Sequence, residues 1–159
     1  MLIIYYIEYF ILISKLYWFN SNGSLKTGSG WEKIDGYWYY FYSDGSIAAG
    51  WFTKGDKTYY MGADDGRMAI GWIQVGKDWY HFDKNGALTY GWIKTNDKWY
   101  YSDKTGKMLT GIQTIDGKKY YLYYYMQTGW QKVDGNWYYF NNDMKTGWLT
   151  VNNKKYYLA

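Results

Sequence analysis

The chain has 159 residues, a formal net charge of +4 and an aromatic content of 25%, with 11 Trp, 23 Tyr and 19 Gly but neither Pro nor Cys. This composition favours short aromatic strands joined by glycine turns, and the lack of cysteine excludes disulfides and thiolate metal sites. The lysines are spread along the chain and Arg67 is the single arginine, so nucleic acid is not an expected partner.

Residues 1–14 form an apolar, aromatic segment. It contains Glu8, no Lys or Arg and no small-residue cleavage site, so an export signal is not evident. The segment is shorter than the roughly 20 residues of a membrane-spanning helix, and no membrane span is expected. Three interpretations remain open, of which the first is favoured: an added strand or cap on the fold, an atypical export signal, or the remains of a truncated reading frame.

A Gly-Trp pair recurs along the rest of the chain at intervals of 18 to 21 residues. An aromatic triplet or its variant follows each pair, as in Trp79-Tyr80-His81 and Trp137-Tyr138-Tyr139. Gly111-Ile112 occupies one place in the series. The six pairs are Gly30-Trp31, Gly50-Trp51, Gly71-Trp72, Gly91-Trp92, Gly129-Trp130 and Gly147-Trp148. Such a period is the signature of a repeat architecture.

Each repeat is predicted to be a β-hairpin. Turn dipeptides such as Asp35-Gly36 and Asp134-Gly135 lie between the Gly-Trp pair and the triplet, where a tight hairpin needs positive φ angles. A second turn and a short link lead to the next repeat, and the links before Gly129 and Gly147 are two residues shorter, which predicts tighter winding there. Because Leu16-Tyr17-Trp18-Phe19 aligns with a triplet, the repeats cover residues 15–159.

A lone hairpin is marginal in water, so these units must stack on one another. The predicted fold is an all-β solenoid of stacked β-hairpins. Strand alternation places Ile73, Val75, Tyr80 and Phe82 on one face, the expected core. Trp72, Trp79 and the last position of each triplet lie on the other face, which leaves them as candidate ligand groups.

The order Gly-Trp, turn, Trp-Tyr-Tyr-Phe, glycine turn, Met, Gly-Trp resembles the choline-binding, or cell-wall-binding, repeats of bacterial surface proteins. The stretches GWIQVGKDWYHFDKNGALTYGW and GWQKVDGNWYYFNNDMKTGW carry the resemblance best, and it covers about nine-tenths of the chain. It implies a spiral of hairpins in which choline of teichoic acid lies between successive hairpins, in a cage of about three aromatic rings that a Met often closes.

Carried over to this chain, the resemblance implies cages made of the Trp of Gly-Trp, the Trp that opens the triplet, and the last triplet Tyr of the following repeat. The four expected sets are Trp31, Trp38 and Tyr60; Trp72, Trp79 and Tyr101; Trp92, Trp99 and Tyr121; and Trp130, Trp137 and Tyr157. Met108 and Met144 take the link position of the second and fourth sets.

Two places depart from the pattern, and no cage is expected there. Thr58 stands in place of a Trp beside Trp51, with His81 in the Tyr position. Ile112 and Lys119 replace both Trp residues of another repeat.

The expected function is non-catalytic binding to the cell wall through choline or phosphocholine of teichoic or lipoteichoic acid, with several cages acting together. The resemblance implies a secreted protein at the bacterial cell surface. Self-association through the terminal hairpin is also expected, because that hairpin leaves an edge and a cage face without a successor. An aromatic cage suits a quaternary ammonium, because such a cation donates no hydrogen bond and the ring faces are negative.

Two other functions remain open. Related repeats occur in glucan-binding proteins and clostridial toxins, which implies sugar stacking on similar rings; and the spiral could instead present an adhesin-like surface to a protein partner. Catalysis finds no support, because His81 is the single histidine and the Asp residues concentrate in turns. No cofactor and no metal is expected.

Overall fold

The computed structural model describes residues 15–159, so the predicted cap or export segment at residues 1–14 lies outside the described residues. The described chain is all β, with no helix, and its strands are β1 (Leu16–Tyr17), β2 (Gly30–Ile34), β3 (Tyr37–Phe41), β4 (Ser46–Ile47), β5 (Gly50–Lys54), β6 (Lys57–Met61), β7 (Gly71–Val75), β8 (Asp78–Phe82), β9 (Gly91–Thr95), β10 (Lys98–Ser102), β11 (Gly111–Ile115), β12 (Lys118–Tyr123), β13 (Tyr125–Met126), β14 (Gly129–Val133), β15 (Asn136–Asn141), β16 (Asp143–Met144), β17 (Gly147–Val151) and β18 (Lys154–Leu158).

Each Gly-Trp pair begins the first strand of an antiparallel hairpin, and the triplet lies in the second strand. The hairpins are β2–β3, β5–β6, β7–β8, β9–β10, β11–β12, β14–β15 and β17–β18. In the β2–β3 hairpin Trp31 lies opposite Tyr40 and Lys33 opposite Trp38. The turn between them has Asp35 and Gly36 at φ 50° and 86°, the conformation that a two-residue hairpin turn requires.

The links between hairpins come in two forms. In the longer repeats the link touches the preceding strand through a single bridge, as between Ser102 and Met108. In the 18-residue repeats the chain reverses at once, so that Tyr123 pairs with Tyr125 and Asn141 with Asp143. The reversal requires Tyr124 and Asn142 to adopt positive φ, 65° and 66°.

The two faces of each hairpin differ in burial as strand alternation predicts. Tyr80 and Phe82 are buried, while Ile73 and Val75 are half-buried. On the other face Trp79 is exposed. The inner face therefore supplies the core.

The chain divides into two compact units, one of residues up to Gln74 with His81–Leu88 and one of Val75–Tyr80 with Thr89–Ala159. In the first unit the outer face of β2–β3 packs on the inner face of the next hairpin. Trp31 lies with its ring centroid 5.8 Å from that of Phe52 and 4.9 Å from that of Tyr59.

The second unit repeats this packing. The centroids of Trp92 and Tyr120 are 4.8 Å apart, and Tyr121 stacks on Phe140 at 6.0 Å. An all-β fold of stacked hairpins is thereby confirmed. Among the described residues there is no helix of the length and hydrophobicity needed to span a bilayer.

Replacing Phe140 by Ala should lower the free energy of unfolding by about 3 to 5 kcal/mol, because the ring is fully buried and its removal leaves a cavity. Urea unfolding followed by tryptophan fluorescence measures the change. Tyr90→Ala is the control, since Tyr90 is half exposed and should cost less than about 1 kcal/mol. Equal losses in the two variants would contradict the assignment of the inner face as the core.

The single histidine should make stability depend on pH. His81 packs against Trp72 with centroids 5.0 Å apart, and burial lowers its pKa below the usual 6.5, an effect that the Asp83 carboxylate partly opposes. Because the folded chain holds the proton less tightly than the unfolded chain, stability falls as pH drops through about 6.5.

The His81→Tyr variant carries the residue that other repeats have at this position. We expect the melting temperature of the wild type to fall relative to that of the variant as the pH is lowered from 7.5 to 5, because only the wild type has a histidine to protonate. A difference that does not change with pH would contradict the burial of a neutral imidazole.

Candidate functional site

Three cavities lie where two Trp side chains of one hairpin face the next hairpin of the same unit. Cage 1, in the first unit, has a volume of about 300 Å³ and is lined by Trp31, Trp38, Tyr59, Met68, Lys84 and Asn85. Cage 2, of about 370 Å³, is lined by Trp92, Trp99, Tyr120, Met126 and Asn142. Cage 3, of about 450 Å³, is lined by Trp130, Trp137 and Tyr156.

The cages share one ring geometry. The first Trp meets the tyrosine of the next hairpin at a steep angle, with centroids 4.9 Å apart and planes at 59° in cage 1, and 4.9 Å and 66° in cage 3. In cage 2 the two indoles are perpendicular with centroids 6.3 Å apart. Rings held at such angles leave ring faces turned toward the cavity.

The second Trp of each cage is the more exposed one. Trp38 and Trp99 are each 39% exposed and Trp137 is 60% exposed, whereas Trp31, Trp92 and Trp130 are half-buried. Exposed aromatic surface of this kind is typical of a binding site.

The tyrosine of each cage is the middle residue of its triplet, which differs from the expected last residue. Tyr60, Tyr101 and Tyr157 instead contact the first Trp of their own hairpins, at centroid distances of 5.3 Å, 5.1 Å and 5.3 Å. Tyr121 lines a separate cavity of about 240 Å³ with Tyr123 and Tyr124. The physical reason is the packing of outer face on inner face, since the inner face carries the middle tyrosine.

The methionines also differ from the expected sets. Met68 lines cage 1 and donates its backbone N–H to the carbonyl of Trp38 at 2.8 Å, and Met126 lines cage 2. Met144 is paired with Phe140 and does not line cage 3. A link methionine therefore lines the cage of the preceding repeat. Met68 follows the β5–β6 hairpin and lines the cage that contains the two Trp residues of β2–β3.

The second expected set is divided between the units. Trp72 belongs to the first unit, and Trp79 and Tyr101 belong to the second. Met108 donates its backbone N–H to the carbonyl of Trp79 at 2.9 Å, as Met68 does to Trp38. A cage formed by this set stays a prediction.

A lysine lies opposite the second Trp in each of the three cage hairpins. The pairs are Lys33 with Trp38, Lys94 with Trp99 and Lys132 with Trp137. Hairpins that lack this Trp have Thr instead, at Thr53, Thr114 and Thr150. Directly opposite side chains are in contact range, so the lysine stem can cover the edge of the indole.

Neither a metal nor a charged reaction centre stands out in the described part of the chain. Residues 15–159 contain no group of three or more His, Cys, Asp or Glu arranged to hold a metal ion. Asp103 is tied into a turn, where its carboxylate accepts hydrogen bonds from Thr105 and Lys107 that lower its pKa against the opposing effect of burial.

Two family models together match most of the chain. The model of the choline-binding repeat matches residues 27–71, 69–110 and 109–143, and that of the putative cell wall binding repeat matches residues 146–159. Among curated proteins none matches the sequence significantly.

Several solved structures resemble the chain. CbpJ from Streptococcus pneumoniae TIGR4 is 39% identical, with a TM-score of 0.75, over 90% of this chain and 53% of that one. Choline binding protein F from Streptococcus pneumoniae, solved with a peptidoglycan analogue, is 38% identical, with a TM-score of 0.75, over 92% and 55%. The modular autolysin LytC from Streptococcus pneumoniae is 25% identical, with a TM-score of 0.60, over 91% and 35%.

The chain thus spans about half the length of the first two of these structures. Every stretch that the family models match consists of repeats, and the matches run from residue 27 to the last residue. On this evidence the chain belongs to the family of choline-binding, or cell-wall-binding, repeats.

Proposed function

We propose that this chain attaches its protein to the bacterial cell surface by binding choline groups in cages 1, 2 and 3. The observation that carries the proposal is the lining of cage 3, which consists of the aromatic residues Trp130, Trp137 and Tyr156, with no charged or amide side chain among them. Three aromatic rings around one cavity suit a cation that donates no hydrogen bond.

The physical basis is the quadrupole of the rings. A trimethylammonium group is weakly hydrated for its charge, so the negative faces of Trp and Tyr can replace its water. Each desolvated contact is worth about 0.5 to 2 kcal/mol. Three contacts with burial of the methyl groups give roughly 4 to 6 kcal/mol, which corresponds to a dissociation constant between about a millimolar and tens of micromolar.

Binding of that strength is weak at a single site. Several linked sites that bind one polymer together can hold the protein on it, because each further binding step is intramolecular. The expected partner is teichoic or lipoteichoic acid, a polymer that repeats its choline groups, so several cages of one chain can bind at once. The gain in avidity is of the order of a hundredfold or more. The predicted set of Trp72 and Trp79 would add a further cage.

In this proposal the repeats act without catalysis, and the protein is secreted and held at the cell wall. Sugar binding is the alternative with the nearest chemistry, since sugars also stack on aromatic rings. Sugar hydroxyls usually pair with charged or amide side chains beside the ring, and neither kind lines cage 3. Cage 3 therefore favours choline over a sugar.

The neighbouring tyrosines Tyr156 and Tyr157 give a matched pair of variants. Tyr156→Ala removes a wall of cage 3 and should weaken choline binding there about tenfold. Tyr157→Ala should leave that binding within about twofold, because its ring lies against Trp148. The chemical shift of the Trp137 indole N–H, followed in a choline titration, reports cage 3 alone.

Two outcomes would contradict the proposal. One is a loss of affinity with Tyr157→Ala and none with Tyr156→Ala. The other is a Trp137 signal that responds to soluble glucan and not to choline.

We also propose that the terminal β17–β18 hairpin mediates self-association. Its outer face presents Trp148 and Tyr157, which are 76% and 67% exposed, and a second copy of the chain could cover these rings. Sedimentation equilibrium should show a dimer that Trp148→Ala dissociates, with Tyr90→Ala as the control. A monomer at all concentrations would refute this role of the hairpin.

A further inference from the structure

The three cages have the same aromatic walls and different rims. Cage 1 is lined by Lys84 and Asn85 in addition to its rings and Met68. Cage 2 has one amide side chain, that of Asn142, and cage 3 is lined by its three aromatic residues. The cages therefore form a graded series in which a positive charge lines cage 1 alone.

The charge comes from a turn that only the longer repeats possess. Lys84 and Asn85 follow β8, and the Asp83 carboxylate fixes this turn by accepting the backbone N–H groups of Asn85 at 2.8 Å and Ala87 at 2.9 Å. In the 18-residue repeats the chain reverses through Tyr124 or Asn142 instead. Those repeats have no counterpart of Lys84.

Lys84 is the charge that distinguishes cage 1. Lys33, Lys94 and Lys132 occupy the same position opposite the second Trp in all three cage hairpins, so the presence of a lysine there does not distinguish cage 1. No acidic oxygen of residues 15–159 lies within 4 Å of the Lys84 ammonium. Its charge is thus available to a ligand.

An ammonium at the rim of a cation cage has opposite effects on two kinds of ligand. It repels a free quaternary ammonium, because both groups carry a positive charge. It attracts a ligand that carries an anionic group next to the cation. Lys and amide side chains are ordinary donors to phosphoryl oxygens.

We propose that cage 1 is specific for choline esterified to phosphate, with Lys84 and Asn85 donating to the phosphoryl oxygens while the rings hold the trimethylammonium group. Cage 3 accepts the cation without regard to what is attached to it. This inference rests on the proposed function and adds a phosphate requirement to one of its sites.

The test compares choline with phosphocholine at single cages of the intact chain. The indole N–H signals of Trp38 and Trp137 report cages 1 and 3 in nitrogen–proton correlation spectra. In the wild type, phosphocholine should bind cage 1 more tightly than choline does, and cage 3 should show no such preference. Lys84→Gln should weaken phosphocholine binding at cage 1 about two- to fivefold and leave choline binding equal or tighter.

Lys104→Gln is the matched control. Lys104 occupies the equivalent turn after β10, lines none of the three cages, and its loss changes the net charge by the same amount. It should alter neither ligand's affinity for cage 1.

Lys84→Gln should change the affinities for the two ligands differently, which distinguishes a role in ligand recognition from a role in folding. A purely structural role of Lys84 would change both affinities in the same direction. Parallel changes in Lys84→Gln, or equal wild-type affinities for the two ligands at cage 1, would overturn the phosphate requirement and leave choline binding standing. Failure of both ligands to shift Trp38 would overturn choline binding at this cage itself.

Discussion

The packing of one hairpin's outer face on the inner face of the next is the interaction on which fold and site both depend. Trp31 contacts Phe52 and Tyr59 of the following hairpin, and the same indole lines cage 1. The residues that hold adjacent hairpins together therefore also line the cavity. A single hairpin has the two Trp residues of a cage and lacks the Tyr that the next hairpin supplies. Occupation of a cage should accordingly stabilise the stack, since a ligand that binds the folded state alone shifts the folding equilibrium.

Variation between repeats then decides which junctions can bind. Replacing one Trp by Thr58 retains the hairpin, because Thr53 still pairs with Thr58 in register, and it removes a cage wall. The residue opposite this position varies too, with lysine in the three cage hairpins and threonine in the hairpins that lack the Trp. Strand pairing therefore tolerates changes that ligand binding does not, and a chain of similar hairpins can carry sites with different ligand requirements.

Features local to one hairpin could be predicted from the sequence. The Gly-Trp pairs, the triplets and the Asp-Gly turns fix the strands, and alternation alone places Trp79 outward and Phe82 inward. The partner of the two Trp residues could not be found in this way. Whether Tyr59 or Tyr60 lines cage 1 depends on which face of the next hairpin packs on Trp31. Alternation within one hairpin says which residues share a face, and it does not say how two hairpins pack. The same relation decides which cage a link methionine lines, and Lys84 of cage 1 lies on a turn two repeats beyond Trp38. The middle tyrosine could have been found by asking which face must cover the outer face of the hairpin before it.

The central claim is that rings from adjacent hairpins converge on a choline group. A crystal structure of the chain grown with saturating choline tests it most directly. The account predicts trimethylammonium density in cage 3, in contact with Trp130, Trp137 and Tyr156. Density for choline against Tyr157 instead, or indoles closed on one another with no ligand between the hairpins, would contradict it.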